Sequence, residues 1–165
     1  MALRAIRVAV VGLLLGVTLP TLAAEPKFVG AWKLVSYARE DPATGVSTFP
    51  WGEKPLGLLV YLPDGHMSVV INAEGRQSVA HGEEGAVEKQ AKLYRTMTAY
   101  AGRYTVGDGT VTHRVEMASD PGLVGTELTR RFRIEGDLLT LATPPSKSMS
   151  DGKMYVYTLV WKRFP

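Results

Sequence analysis

The sequence predicts an all-β fold, an eight-stranded antiparallel barrel with one α-helix near an opening, and three observations lead there. Most segments from Glu25 onward alternate apolar and polar residues with period two, as half-buried strands do. Three of the joints between them are short Gly- and Asp-containing turns of the kind that close hairpins. Eight short strands in about 140 residues gain by closing into a barrel, because an open sheet leaves an unpaired edge on each side.

Taken in order, residues 31–39 alternate Trp32, Leu34 and Ser36 against Lys33, Val35 and Tyr37, and Asp41, Pro42 and Gly45 supply the loop that follows. Leu56–Leu62 and Met67–Ile71 are apolar runs joined by Pro63, Asp64 and Gly65. There Pro presets one backbone dihedral and Gly tolerates positive φ. Tyr104–Val106 meets Thr110–Glu116 across Gly107, Asp108 and Gly109, and Leu128–Ile134 meets Leu138–Thr143 across Glu135, Gly136 and Asp137. The last strand, Lys153–Arg163, sets Tyr155, Tyr157, Leu159 and Trp161 against Met154, Val156, Thr158 and Val160. One stretch departs from period two: Val87, Ala91, Tyr94, Met97 and Ala101 recur at three- or four-residue steps, which predicts a helix over 86–101. It follows a polar loop, His81 to Gly85, and precedes the fourth strand.

Residues 1–24 read as a secretory signal peptide, and 25–165 as the single barrel domain. Arg4 and Arg7 form the basic start, Val8–Leu19 the uncharged apolar run, and Pro20, Ala23 and Ala24 the end of the segment, with cleavage expected after Ala23 or Ala24. The expected location is the periplasm or the medium, with no stable membrane insertion once the segment is removed. Without it, seventeen basic residues face sixteen acidic ones, a balance that excludes an electrostatic nucleic-acid reader. The chain has no Cys, hence no disulfide, thiol nucleophile or Cys metal site.

Gly30-Ala31-Trp32 opens the first strand with a Gly-x-Trp, and several further segments accompany it. These are Pro55-Leu56-Gly57, Tyr61-Leu62-Pro63-Asp64-Gly65-His66-Met67-Ser68, Tyr100-Ala101-Gly102-Arg103-Tyr104, Thr112-His113-Arg114-Val115-Glu116, Thr143-Pro144-Pro145 and Leu159-Val160-Trp161. Together they resemble the bacterial and fungal lipocalin-like domain family over nearly all of residues 28–163. The resemblance implies a calycin-type barrel of eight strands, with Trp32 a plug at its closed end and a late Arg, either Arg163 or Arg131, packed over the indole. It implies no particular reaction, because fold alone does not carry one.

His113 is the first candidate site residue. It shares a strand face with Val111 and Val115, which places it inward, either as a hydrogen-bonded core residue or as the acid/base of a pocket. Tyr61, Tyr104, Tyr157 and Trp161 are the further candidate ligand-binding residues, since phenols and indoles give an apolar cavity a few directional hydrogen bonds. Arg131 and Arg133 share a face that reads as outward; in the reversed register Arg131 would be an internal carboxylate anchor. His66 reads as surface and His81 as solvated, and no metal site is expected from their spacing with His113. Ser146, Ser148 and Ser150 form a polar loop that would rim the barrel.

There is no phosphate loop, no Gly-x-Ser-x-Gly elbow and no visible acid pair, and no cofactor is expected. Three classes of function remain. The leading one is an exported protein that binds a small apolar or amphipathic molecule inside the barrel. The alternative is a cofactor-free isomerase, cyclase or hydrolase with His113 as acid/base, and the third is an interaction module with a filled interior.

Overall fold

A computed structural model describes residues 27–148 and 151–165, so the predicted signal segment 1–24 and Ser150 lie outside the described residues. Ten strands run in chain order: β1 Gly30–Glu40, β2 Ser47–Thr48, β3 Leu56–Tyr61, β4 His66–Asn72, β5 Met97–Gly107, β6 Thr110–Ala118, β7 Glu127–Glu135, β8 Leu138–Ala142, β9 Ser146–Lys147 and β10 Met154–Arg163. The two-residue β2 and β9 are extra pairings at the rim. The other eight are antiparallel neighbours, and β1 pairs with both β3 and β10 to close the barrel.

The two ends differ because their connections differ. Leu62–Gly65, Asp108–Gly109 and Gly136–Asp137 turn the chain at one end within two to four residues. The long connections, 41–55, 73–96, 119–126 and 143–153, all lie at the other. The tight-turn end is sealed. Trp32 is fully buried there, its indole N–H donates to the Phe28 carbonyl oxygen at 3.0 Å, and the Arg163 guanidinium stacks 4.0 Å from the ring centre. Arg163 also donates to the carbonyl oxygens of Val29 (2.8 Å) and Lys27 (2.5 Å), so the late arginine over the tryptophan is Arg163. Gly30 is needed beside it: its φ is +133°, and a Cβ there would lie 2.9 Å from the guanidinium. Phe28, Tyr61, Tyr104 and Phe132 fill the space above the plug with ring contacts of 4.6–6.5 Å.

The helix is shorter than its periodicity predicts. α1 spans Ala86–Arg95, and residues 97–101 belong to β5. Thr96 ends the helix, its hydroxyl donating to the carbonyl oxygens of Lys92 (3.1 Å) and Leu93 (3.0 Å). Beyond it Met97–Arg103 pairs residue for residue with Asn72–His66 of β4, and the long-range ladder plus the burial of Tyr100 outweighs a local helical spacing. α1 has no buried residue.

Two bulges shift the inward face. In β1 the register against β10 slips between Leu34 and Ser36, so Val35 stays exposed as alternation predicts, but Tyr37 joins Trp32 and Leu34 on the inside, contrary to it. In the β5–β6 pair the slip lies between Ala101 and Gly102. A Cβ at Gly102 would sit 2.0 Å from the Arg114 carbonyl oxygen, so the strands approach there as only glycine allows. At Gly107, on the same strand, a Cβ would meet nothing within 4 Å. Gly102→Ala is therefore expected to cost about 1–3 kcal/mol in urea unfolding, against about 0.5 kcal/mol or less for Gly107→Ala. Equal midpoints for the two variants would contradict the close approach.

Candidate functional site

Above the aromatic plug the barrel is hollow. A cavity of about 230 Å³ opens toward the long-loop end, and its walls are mostly apolar: Leu59, Val69, Ile71, Leu128, Leu141 and Leu159 all face it. The volume lies below the roughly 300–1,000 Å³ of drug-sized ligand sites, so it suits a smaller molecule. A larger groove of about 480 Å³ runs outside the barrel between residues 73–79 and α1. Its open, charged lining, with Lys89 and Glu83 paired at 2.5 Å, is that of a solvated surface.

His113 forms the floor. It is 1% exposed, and both ring nitrogens are occupied: the Tyr61 hydroxyl lies 2.7 Å from Nε2 and the Tyr100 hydroxyl 2.9 Å from Nδ1. Burial holds the imidazole well below its ordinary pKa, and the positive charge of Arg130 acts in the same direction. Burial raises the pKa of Tyr61 and Tyr100, so both phenols keep their protons. The Tyr–His–Tyr bridge is a neutral unit in which both imidazole nitrogens are paired.

The other predicted site residues separate. Tyr157 and Trp161 line the cavity with His113. Tyr61 lies beneath His113 and reaches the cavity only through it. Tyr104 is turned to the closed end, where its hydroxyl donates to the Leu62 carbonyl oxygen at 3.0 Å, and it does not line the cavity. Arg131 and Arg133 face outward, which removes Arg131 as an internal anchor. Ser146 pairs with Tyr155 in β9–β10, and Ser148 is buried. Among the described residues no cluster of three or more His, Asp or Glu is placed to hold a metal, and no helix is long and apolar enough to cross a membrane.

Several cavity residues lie outside the sequence-derived set. Arg130 is half-buried on the inner face of β7 with Leu128, Phe132 and Ile134, and its guanidinium donates to the Leu128 carbonyl oxygen at 3.0 Å. The signal for it was present, since an outward Arg131 and Arg133 require an inward Arg130. Tyr100 was hidden by the overlong helix and Tyr37 by the β1 bulge. Trp51 comes from the β2–β3 loop, where no periodicity marks it. Tyr37 stacks between Trp51 (4.9 Å) and Tyr157 (5.8 Å), and the three make an aromatic collar at the open end. Burial, reinforced by Tyr157, pushes the pKa of Tyr37 up, so its hydroxyl remains neutral.

The held-neutral histidine sets a pH dependence. The native imidazole refuses a proton that the unfolded chain accepts near pH 6.5, so this contribution to stability is complete above that pH and declines as pH falls below it. Denaturant titrations between pH 7.5 and 5.5 are expected to show wild type losing up to about 1.4 kcal/mol per pH unit more than His113→Gln. Parallel pH profiles would show that the imidazole titrates normally.

A family model described as a lipocalin-like domain matches residues 29–164. The curated relatives include the 4'-hydroxy-3'-methoxypropiophenone carrier protein of Aspergillus oryzae, 35% identical over 89 residues that cover 49% of this chain and 79% of the relative.

Proposed function

Since the chain belongs to the lipocalin-like domain family, we propose that it is an exported carrier that holds one small, mostly apolar molecule in the open half of its barrel. The observation that carries this reading is the half-filled interior: aromatic rings pack the closed end, while about 230 Å³ above His113 stays hollow between apolar walls and a few polar groups. A barrel serving only as an interaction module has no need of that space. The carrier role named for the relative supports the same reading.

The catalytic alternative asks His113 to exchange protons with a bound molecule. Both nitrogens are already engaged by phenols, and burial keeps the ring neutral, so His113 is better built to position Tyr100 than to transfer protons. Export rests on the order of charge, apolar run and small residues in the segment 1–24.

Calorimetric titration with 4'-hydroxy-3'-methoxypropiophenone and with simple aromatic alcohols is expected to give one site per chain. Leu128 is the residue paired with His113 on the neighbouring strand β7, and it lines the cavity. Leu128→Trp should fill the space and weaken binding about tenfold or more while the fold persists. Uptake of none of these compounds by wild type at about 1 mM, close to the weakest affinity such a site would show, would refute the carrier reading. Export is tested separately: the protein recovered from periplasm or medium is expected to begin at Ala24 or Glu25. Recovery only from the cytoplasm with Met1 retained would refute it.

A further inference from the structure

The hydrogen-bond accounts of the cavity lining are unbalanced in one direction. Tyr61 is fully buried and its hydroxyl meets a single polar atom, Nε2 of His113. Its O–H has no other acceptor among the described residues, so it donates to Nε2, which is then the bare nitrogen of a neutral imidazole. Nδ1 carries the ring hydrogen and donates to the Tyr100 oxygen at 2.9 Å. That leaves the Tyr100 O–H as a donor without an acceptor, on a side chain that lines the cavity. Trp161 repeats the pattern. It is 1% exposed, it lines the cavity, and its indole N–H has no partner among the described residues. The benzo edge of the same ring packs over Gly57, where a Cβ would lie 3.3 Å from Cζ3, so the N–H is on the opposite edge.

Arg130 adds charge to the imbalance. Its guanidinium has five N–H donors, and among the described residues it meets one carbonyl oxygen and no carboxylate. No Asp or Glu lines the cavity. A half-buried cation among apolar walls without a counter-ion is costly, and an anion brought in by a ligand removes that cost.

We propose that the cavity is selective for a small apolar organic anion, a carboxylate or an ionised phenol, whose charge pairs with Arg130 and whose remaining acceptor oxygens meet the Tyr100 O–H and Trp161 N–H. The proposal rests on the carrier reading above and specifies its ligand class. Fatty or aromatic amines are excluded by the same positive charge, and alcohols bind without the ionic contact.

Three probes of matched shape test it on the wild-type protein: phenylpropanoate, phenylpropanol and phenylpropylamine. Each is followed by calorimetry and by the indole N–H resonance of Trp161, identified among the three tryptophan signals by its loss in Trp161→Phe. The acid is expected to bind about tenfold or more tighter than the alcohol, with the amine weakest, and to shift the Trp161 resonance downfield. In Arg130→Met the advantage of acid over alcohol should disappear. An amine that binds as well as the acid, or an acid advantage that survives Arg130→Met, overturns the proposal and leaves the carrier reading standing. If none of the three probes binds or moves the Trp161 signal, this proposal fails, and the carrier reading stands or falls on the titration with 4'-hydroxy-3'-methoxypropiophenone and simple aromatic alcohols. The comparison of probes on wild type needs no variant, so a misfolded Arg130→Met does not blunt it.

Discussion

An imidazole in the middle of a small barrel has two nitrogens to satisfy and no water to satisfy them, and each one left unpaired costs about 1–3 kcal/mol. His113 meets that demand with one phenol from below and one from above, Tyr61 on β3 and Tyr100 on β5. The bridge spans three strands, β3, β5 and β6, and its members hold one another in place. It also divides the interior. Beneath it, rings pack to the Trp32 plug; above it, the side chains stand back and leave a cavity.

The division follows from how the ends of the barrel are made. Tight turns bring β3 to β4, β5 to β6 and β7 to β8 close together at one end, where Trp32, Phe28 and Arg163 seal the opening with an indole hydrogen bond and a stacked guanidinium. Long connections hold the other end open and supply Trp51 and Leu123 to its rim. An eight-stranded barrel is just wide enough to be filled by side chains or to hold one small molecule. Here side chains fill one half, and the other keeps a cavity of about 230 Å³. Gly57 contributes on the cavity side: any larger residue would press on Leu34 and Trp161, so its bare backbone lets the indole lie flat against the wall.

The charge of the open half is one-sided because Arg130 lines it and no carboxylate does. Arg130 lowers the proton affinity of His113 and faces the phenols of Tyr37 and Tyr100, yet no acidic group faces it in the lining. The same neutrality that makes His113 a poor proton carrier makes it a good rigid acceptor and donor, fixing which way Tyr100 presents its hydroxyl. In such a site apolar area sets affinity and a few fixed polar atoms set identity.

The barrel was legible in the sequence because its evidence is local: period-two runs, Pro-Asp-Gly and Gly-Asp-Gly turns, and a Gly-x-Trp that needs an unusual backbone at Gly30. Periodicity likewise placed His113, Tyr157 and Trp161 inside, since side chains on a regular strand alternate without exception. Tertiary structure alone decided the rest. A bulge in β1 turned Tyr37 inward, pairing with β4 drew residues 97–101 out of a helical pattern, and closure brought Arg163 back over Trp32. Each of these outcomes depends on a partner far along the chain. Which half of the barrel is hollow, and that Arg130 meets no carboxylate there, is a property of residues from eight different strands meeting in space. Alternation along any one strand tells which side chains enter, and only their meeting tells what they leave open.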